Sequence, residues 1–261
     1  MIETITVLGG HSRDGSKEPV SRVDMRMGDV VTIVGPTGSG KTTLINDIEL
    51  FADGNTPTGR RVLFDGAPAP EAYRGDPSHH PIALITQHTT FLSDMPVGRF
   101  LATHAKIRAT GEGEAKEYVE EALAFANQLT GEPIEADVRM TELSGGQTRA
   151  LLIADAAIIC ATPIVLLDEV ENAGIHRTRA IELLRRYRKI FVFVTHDPRI
   201  ALLSDYRIVM RGGRMMDVLA TDEGERQFSK KVSRLDDALS NLREQLRMGH
   251  RLLGDELEGL A

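Results

Sequence analysis

The stretch VVTIVGPTGSGKTT at residues 30–43 is the part of the sequence that determines the predicted fold. Its first five residues are apolar or β-branched and predict a buried strand, and residues 42–52 are predicted to form a helix. The segment between them fits the pattern G-x-x-x-x-G-K-[ST], whose glycines allow the backbone to wrap a phosphate group with its N–H groups. The order of strand, glycine-rich loop and helix therefore predicts a phosphate-binding loop.

Each part of this loop has a predicted role. The helix that follows it offers free N–H groups and the positive end of its dipole to the phosphates. Lys41 reaches the β- and γ-phosphates as a point charge, and the hydroxyl of Thr42 can ligate Mg²⁺. The predicted nucleotide-binding residues of the loop are Gly35, Pro36, Thr37, Gly38, Ser39, Gly40, Lys41, Thr42 and Thr43.

Short apolar runs alternate with helical stretches along the chain, which predicts an α/β fold. The runs at 164–167 and 190–195 are continuously apolar, as central strands of a parallel sheet covered on both faces are. From residue 88 to residue 160 the pattern is helical. Further strands are predicted at residues 61–64, 82–86, 206–210 and 215–219.

The composition excludes several classes of protein. Of the 261 residues, 41% are hydrophobic and 26% are charged, which is typical of a globular chain. The net charge of −7 disfavours non-specific nucleic-acid binding. Cys160 is the single cysteine, so no intramolecular disulfide can form, and a reducing, cytoplasmic compartment is expected. No run approaches the roughly 18 apolar residues of a spanning helix.

Two carboxylates, Asp168 and Glu169, follow the apolar run at 164–167. Ligands of open α/β sheets bind outside the carboxyl ends of the strands, where this pair is placed. Asp168 is predicted to hold Mg²⁺, directly or through water. Glu169 is predicted to orient and polarise an attacking water molecule.

A second anion site is predicted at the run LSGGQ, residues 143–147. It precedes a helix predicted over 148–161, for which Ser144 is a good N-cap, and its two glycines expose backbone N–H groups. Two phosphate-binding elements in one chain are explained if each serves a different nucleotide. A head-to-tail pair of chains would clamp each ATP between the phosphate loop of one chain and the LSGGQ run of the other.

These motifs together resemble those of ABC-type ATPases, the nucleotide-binding subunits of the ATP-binding cassette family. The phosphate loop, LSGGQ and IVLLDE occur in the family's order and at its separations, and the resemblance covers about residues 1–220. It implies a RecA-like phosphate-loop NTPase core at 1–87 and 161–221 with a small antiparallel β region. It further implies a helical signature subdomain at 88–160, and leaves residues 222–261 as an additional helical tail.

The resemblance also implies the roles of two residues that would otherwise be ordinary polar side chains at strand ends. Gln87 matches a glutamine that contacts Mg²⁺ and the attacking water, and His196 matches a histidine that contacts the γ-phosphate. The implied catalytic residues are Glu169, His196, Lys41 and Gln87. The implied Mg²⁺ ligands are Thr42, Gln87 and Asp168, and the implied contacts to the partner chain's ATP are Ser144, Gly145, Gly146 and Gln147.

One departure from the family pattern concerns the contact with the adenine. Family members usually stack the adenine on an aromatic residue upstream of the phosphate loop, but residues 9–14 contain no Tyr, Phe or Trp. We expect His11 or Arg13 to stack there instead, since imidazole and guanidinium planes can do so.

The run at 170–176 also differs from the usual family sequence, which predicts that communication between the two sites differs.

The tail carries apolar residues at alternating spacings of three and four, namely Val232, Leu235, Leu239, Leu242 and Leu246. This is the a/d pattern of a seam about three heptads long. Three arrangements fit the pattern: a helix that lies on its own domain, a pair of self-associating helices, or a docking helix for another protein.

The leading functional interpretation is the ATP-hydrolysing subunit of a membrane transporter, peripheral on the cytoplasmic face. Its expected partners are a second copy of the chain, or a related subunit, and a transmembrane permease; its ligands are ATP and Mg²⁺. The alternative is a soluble ABC ATPase that remodels or activates another protein in repair, translation or cofactor insertion. A non-catalytic nucleotide sensor is opposed by Lys41, Glu169 and His196.

Overall fold

The computed structural model describes residues 2–75, 80–86, 88–108, 114–160, 162–168 and 177–251. The strands are β1 (Thr4–Leu8), β2 (Arg22–Arg26), β3 (Val30–Val34), β4 (Arg61–Phe64), β5 (Ala67–Pro68), β6 (Ile82–Ile85), β7 (Ile164–Asp168), β8 (Ile190–Val194), β9 (Tyr206–Arg211) and β10 (Arg214–Ala220). The α-helices are α1 (Lys41–Glu49), α2 (Ala72–Gly75), α3 (Val97–Arg108), α4 (Ala115–Asn127), α5 (Gly145–Ala154), α6 (Arg177–Leu184), α7 (Pro198–Leu203) and α8 (Glu223–Arg247). Every strand predicted from the sequence is present, and each of its bounds lies within one residue of the prediction.

The main sheet has six strands in the order β10-β9-β3-β8-β7-β6. All neighbouring strands in it are parallel except the pair formed by the edge strand β10 and β9. Its central strands turn alternate side chains toward two apolar cores: Leu166 and Val192 belong to one, Val165 and Phe191 to the other. Burial on both faces explains why these runs are continuously apolar. The α/β fold class is confirmed.

A smaller antiparallel sheet, in the order β2-β1-β4-β5, covers one of these cores. Its buried residues, such as Ile5 and Met25, share that core with Leu44 and Ile48 of α1. The sequence patterns did not locate β1, β2 or β5. In β2 only two of five residues are buried, and the others are charged and exposed, so its apolar signal is short.

The other core is built largely by the helices between residues 88 and 160, where the described part of the chain contains no strand. Leu101 of α3, Phe125 of α4 and Leu151 of α5 meet there. The helix predicted over 148–161 begins earlier, at Gly145, and its α-helical part ends at Ala154. It continues as a π-helical turn over Asp155–Ile159.

The chain ends, within the described residues, in the 25-residue helix α8. Its first turns pack beside α7, and Arg207 of β9 forms an ion pair with Glu225 near its start. Among the described residues, no helix has the length and apolar character needed to cross a bilayer.

Candidate nucleotide-binding site

Three segments that carry predicted site residues lie side by side at the carboxyl-terminal edge of the main sheet. Strand β8 runs between β3 and β7, and Val194 is paired with Ile33 on one side and with Asp168 on the other. The phosphate loop leaves β3, His196 follows β8, and Asp168 ends β7. The register therefore collects these predicted residues at the edge where open parallel sheets bind ligands.

The turn between β9 and β10 packs against the backbone of the phosphate loop. Gly35 has φ of +153°, and a Cβ atom there would lie 2.3 Å from the carbonyl oxygen of Met210. Gly40, with φ of +97°, is the N-cap of α1 and lies against Gly213, whose N–H donates to the carbonyl oxygen of Ser39 at 2.9 Å. Glycine is required at both positions because the backbone turns left-handed and touches another backbone.

Lys41, the first residue of α1, extends back along the loop. It is 6% exposed, and its Nζ donates to the carbonyl oxygens of Gly35 at 2.9 Å and Pro36 at 3.2 Å. Thr42 and Thr43 are exposed beside it. The hydroxyl of Ser39 is buried and has no hydrogen-bond partner among the described residues. A bound phosphate would find a cation and polar groups already collected here.

A cavity of about 600 Å³ adjoins the loop on the side of the N-terminal segment. His11 and Arg13 line one wall, and Gly38, Gly40 and Thr43 line another. Both residues expected to stack on adenine are thus placed next to the phosphate loop. The side chain of Asp14, at the same wall, accepts hydrogen bonds from the Ser12 hydroxyl and the Ser16 N–H, which lower its pKa to about 2.

An arginine that the sequence patterns did not single out is bonded to Gly213, which lines this cavity. Arg60 is wholly buried and donates to both carboxylate oxygens of Glu18, at 2.7 and 3.1 Å, and to Asp47 of α1 at 2.9 Å. It also donates to the carbonyl oxygen of Gly213 at 3.0 Å. Burial acts to lower the pKa of Arg60, but the hydrogen bonds and charges of the two carboxylates outweigh it and raise the pKa.

Glu18 extends this cluster to the walls of the site. Its carboxylate also accepts from the backbone N–H groups of Gly10 at 2.8 Å and Met215 at 2.6 Å, while Asp47 accepts from the hydroxyl of Thr58 at 2.9 Å. The cluster joins the segment before His11, the helix after the loop and the turn between β9 and β10. These segments are remote from one another in sequence, so no local pattern could reveal the cluster.

His196 lies on the other side of the phosphate loop from the cavity that His11 and Arg13 line. It is exposed and lines a second cavity, of about 420 Å³, together with Gly35 and Pro36 at the start of the phosphate loop. Asp168 is half-buried at the end of β7. Two of the expected catalytic residues, Gln87 and Glu169, lie outside the described residues, as does the run at 170–176.

The LSGGQ run is at the start of α5. Ser144 is the N-cap: its hydroxyl accepts from the N–H of Gln147 at 3.3 Å, and its own N–H donates to the side chain of Gln147 at 2.9 Å. Ser144 and Gly145 are exposed, and Gly146 and Gln147 are partly so. None of the four lines either cavity beside the phosphate loop. The described part of one protomer therefore does not bring its own LSGGQ run to its own loop.

The mostly parallel sheet, with a glycine-rich loop after β3 and an acidic residue at the end of β7, defines the phosphate-loop NTPase fold. A family model described as ABC transporter matches residues 20–172, more than half of the chain. The chain belongs to this family, and the resemblance stated from the motifs is confirmed.

Relatives of known sequence and structure agree with this assignment. The chain is 46% identical over 256 residues to an uncharacterised ABC transporter ATP-binding protein of Methanocaldococcus jannaschii, covering 98% of this chain and 97% of that protein. It is 33% identical over 201 residues to the spermidine/putrescine import ATP-binding protein PotA of Marinobacter nauticus, covering 73% of this chain and 50% of PotA. The structure of cbiO1 from Clostridium perfringens, part of the complex cbiONQ, has a TM-score of 0.65 at 21% identity, covering 95% of this chain and all of cbiO1.

The assignment carries the biochemical class with it. The chain is an ATP-binding and ATP-hydrolysing subunit of an ABC system. The ATP-binding cassette MJ0796, which is 20% identical with a TM-score of 0.62 over 84% of this chain and 99% of its own, has a dimeric structure in a post-hydrolysis state with ADP and phosphate bound. The alignment with the Methanocaldococcus protein spans almost the whole chain and so includes the helical tail, whereas the alignment with PotA covers about three quarters of the chain.

Proposed function

We propose that two copies of the chain close around two ATP molecules and thereby drive a conformational change in a membrane permease, at the cytoplasmic face of the membrane. The observation that carries the proposal is the separation, within one protomer, of the LSGGQ run from the phosphate loop. An anion site at a helix start that faces solvent is available to the nucleotide of a second chain. In this proposal residues 1–87 and 161–221 form the nucleotide-binding core, 88–160 the signature subdomain and 222–261 an added tail.

The residues divide between holding the nucleotide and promoting hydrolysis. Residues 35–43 bind the phosphates through backbone N–H groups and the ammonium of Lys41, while His11 or Arg13 stacks on the adenine. Ser144, Gly145, Gly146 and Gln147 of the second copy close the site. Glu169 orients the attacking water and accepts its proton, and His196 holds the γ-phosphate in line. Catalysis of this kind rests on positioning and charge stabilisation.

The donor set at the loop also fits Mg²⁺. Hydroxyl, carboxylate and amide oxygens are the ligands this cation prefers. The exposed Thr42 follows the phosphate loop that leaves β3, and the half-buried Asp168 ends β7, which is separated from β3 by β8 at the same sheet edge. Thr42, Asp168 and Gln87 would hold the ion. Bound there, Mg²⁺ would neutralise negative charge on the phosphates.

Mixing two inactive variants tests whether each site is shared between chains. Lys41→Ala removes the phosphate cation, and Ser144→Arg fills the LSGGQ surface, so either variant alone is expected to lose ATP turnover. A mixed dimer carries one intact site, made from the loop of the Ser144→Arg chain and the LSGGQ run of the Lys41→Ala chain. We expect phosphate release to reappear on mixing. A mixture as inactive as its components, under conditions in which mixed dimers are shown to form, would contradict the shared site.

The permease is tested by capture from detergent-solubilised membranes of source cells. Glu169→Gln is expected to keep ATP bound and the dimer closed, so that it retains the partner in the presence of Mg-ATP. The matched control carries Lys41→Ala in addition and should not close. The transporter proposal is supported if Glu169→Gln recovers a multi-spanning membrane protein at a near one-to-one ratio and the variant that also carries Lys41→Ala does not. Recovery of a soluble enzyme or assembly factor in its place would favour the remodelling alternative.

A further inference from the structure

Helix α8 consists of two halves that differ in what covers them. The first half lies on its own domain: Ser229 is 6% exposed, and Glu225 forms its ion pair with Arg207. Of the three arrangements that fit the heptad pattern, packing on the protein's own domain therefore holds for this half. The second half, beyond residue 234, projects apolar side chains that nothing in the described protomer covers.

The uncovered side chains are large and follow the heptad spacing. Leu235, Leu239 and Leu246 are 49%, 50% and 57% exposed, and they lie on one helical face with the half-buried Val232 and Leu242. Half of the large exposed apolar side chains of the described residues fall between residues 228 and 248. A contiguous apolar stripe of this kind on a soluble protein marks an interaction surface.

We propose that this stripe, Val232, Leu235, Leu239, Leu242 and Leu246, is a dimerisation seam whose occupant is α8 of a second copy, in a parallel two-stranded coiled coil. In heptad terms Val232, Leu239 and Leu246 occupy position a, and Leu235 and Leu242 occupy position d. An unbroken a/d seam of this type packs best against another seam of the same period, because each apolar knob enters a hole of the facing helix. A globular partner would not require the period to be kept.

The charges of α8 also favour a second copy over a membrane surface. Residues 223–247 hold six basic and five acidic side chains, so the helix lacks the strong positive charge of segments that bind anionic lipid. The heptad places Lys231 at position g and Asp236 at position e. A parallel pair sets position g of one chain against position e of the next heptad in the other, so these charges are opposite in sign and occur twice by symmetry.

The tail pairing is compatible in its symmetry with the proposed closure of two chains around two ATP molecules, called the nucleotide sandwich below. This step of the inference rests on that proposed function. Two ATP sites shared head to tail are related by a two-fold axis, and a parallel pair of identical helices is also two-fold symmetric. One axis can serve both contacts. The tail pairing would then hold the two protomers together without nucleotide, and ATP-driven closure would become an intramolecular step with an effective concentration of about millimolar order.

The first test is the mass of the nucleotide-free protein in solution, by light scattering at tens of micromolar. We expect wild type at twice the 28.6 kDa chain mass and the variant Leu235→Glu/Leu239→Glu at the single-chain mass. The matched control Gln227→Glu/Asn241→Glu adds the same charge at exposed positions off the seam and should remain dimeric. Monomeric wild type, or a control as monomeric as the seam variant, would overturn the proposal and leave another protein as the occupant.

The second test reads the helix direction. In a parallel, in-register pair residue 246 of one chain faces residue 246 of the other, whereas an antiparallel pair would place it at the opposite end of the seam, so Leu246→Cys should cross-link rapidly on mild oxidation. The control Asn241→Cys, off the seam, should not. The native Cys160 gives no background because it is buried, and burial raises the pKa of its thiol to about 12. Equal cross-linking of the two variants would reject the parallel seam.

The failure of this proposal can be separated from the failure of the nucleotide sandwich. In a Glu169→Gln background, the variant Leu235→Glu/Leu239→Glu should still dimerise when Mg-ATP is added, because its phosphate loop and LSGGQ run are intact. If it does, and nucleotide-free wild type is monomeric, the tail pairing alone is wrong. If nucleotide-free wild type is dimeric but Mg-ATP has no effect on the seam variant, the sandwich alone is wrong.

Discussion

Glu169→Gln is expected to reduce ATP turnover by roughly 10²–10⁴-fold, the range over which general acid–base groups contribute. The amide has nearly the same shape as the carboxylate but cannot accept the proton of the attacking water. The phosphate loop, with Lys41 beside the carbonyl groups of Gly35 and Pro36, is untouched by the change. ATP affinity should therefore remain near the wild-type value while hydrolysis is lost.

Phosphate release and the binding of a fluorescent ATP analogue, measured on the same preparation, separate the two effects. Lys41→Ala is the matched control, because it removes the phosphate cation and should weaken binding as well as turnover. Asp168→Asn gives a further comparison, since it should weaken Mg²⁺ dependence. Turnover by Glu169→Gln at the wild-type rate would remove this residue from its proposed role.

The main sheet was predictable from the sequence because its signal is local. Runs such as 164–167 and 190–195 are apolar at every position, since both faces of each strand are covered, and such runs need no knowledge of their neighbours. Strand β2 has no comparable signal. It pairs with β1, which in turn pairs with β4 more than fifty residues further along the chain, and these pairings are decided by the assembled sheet.

The boundary of α5 was missed for a related reason. The apolar pattern continues through residues 155–159, and the sequence alone does not distinguish an α-helix from a π-helical turn there. Lys189, from the segment before β8, donates to the carbonyl oxygens of Ala156 and Cys160 at 2.6 Å each. The end of this helix is therefore bonded to a residue that lies about thirty positions further along the chain.

The candidate site likewise has a part that could be predicted from the sequence and a part that could not. The phosphate loop and the LSGGQ run are contiguous motifs, so the sequence alone is enough to identify their residues. The sheet register adds that His196 and Asp168 lie at the same edge as the loop. The support of the site was not predictable: the turn holding Gly213 and the cluster around Arg60 are formed by segments distant in sequence, and each residue of the cluster is an ordinary charged residue in its own stretch.

Arg60→Met is expected to lower the free energy of unfolding by about 3–5 kcal/mol, the cost of removing one partner from a buried ion pair. The carboxylates of Glu18 and Asp47 remain, and their side chains are 1% and 5% exposed, so water cannot replace the lost guanidinium freely. The adjacent Arg61 provides the matched control. The side chains of its ion pair with Asp53 are 55% and 41% exposed, and a surface pair of this kind contributes about 0–1 kcal/mol.

Urea unfolding of the two variants, with and without ATP, measures both consequences of the buried cluster. Arg60 donates to the carbonyl oxygen of Gly213, whose N–H donates to Ser39 in the phosphate loop. Losing it should loosen the loop as well as the fold, so ATP should stabilise Arg60→Met less than it stabilises Arg61→Met. Arg60→Met/Glu18→Gln, which leaves one fewer buried charge unpaired, should recover part of the lost stability. If Arg60→Met were no less stable than Arg61→Met, the cluster would not hold the site together, and the position of the loop would depend on the glycine contacts of the turn between β9 and β10 alone.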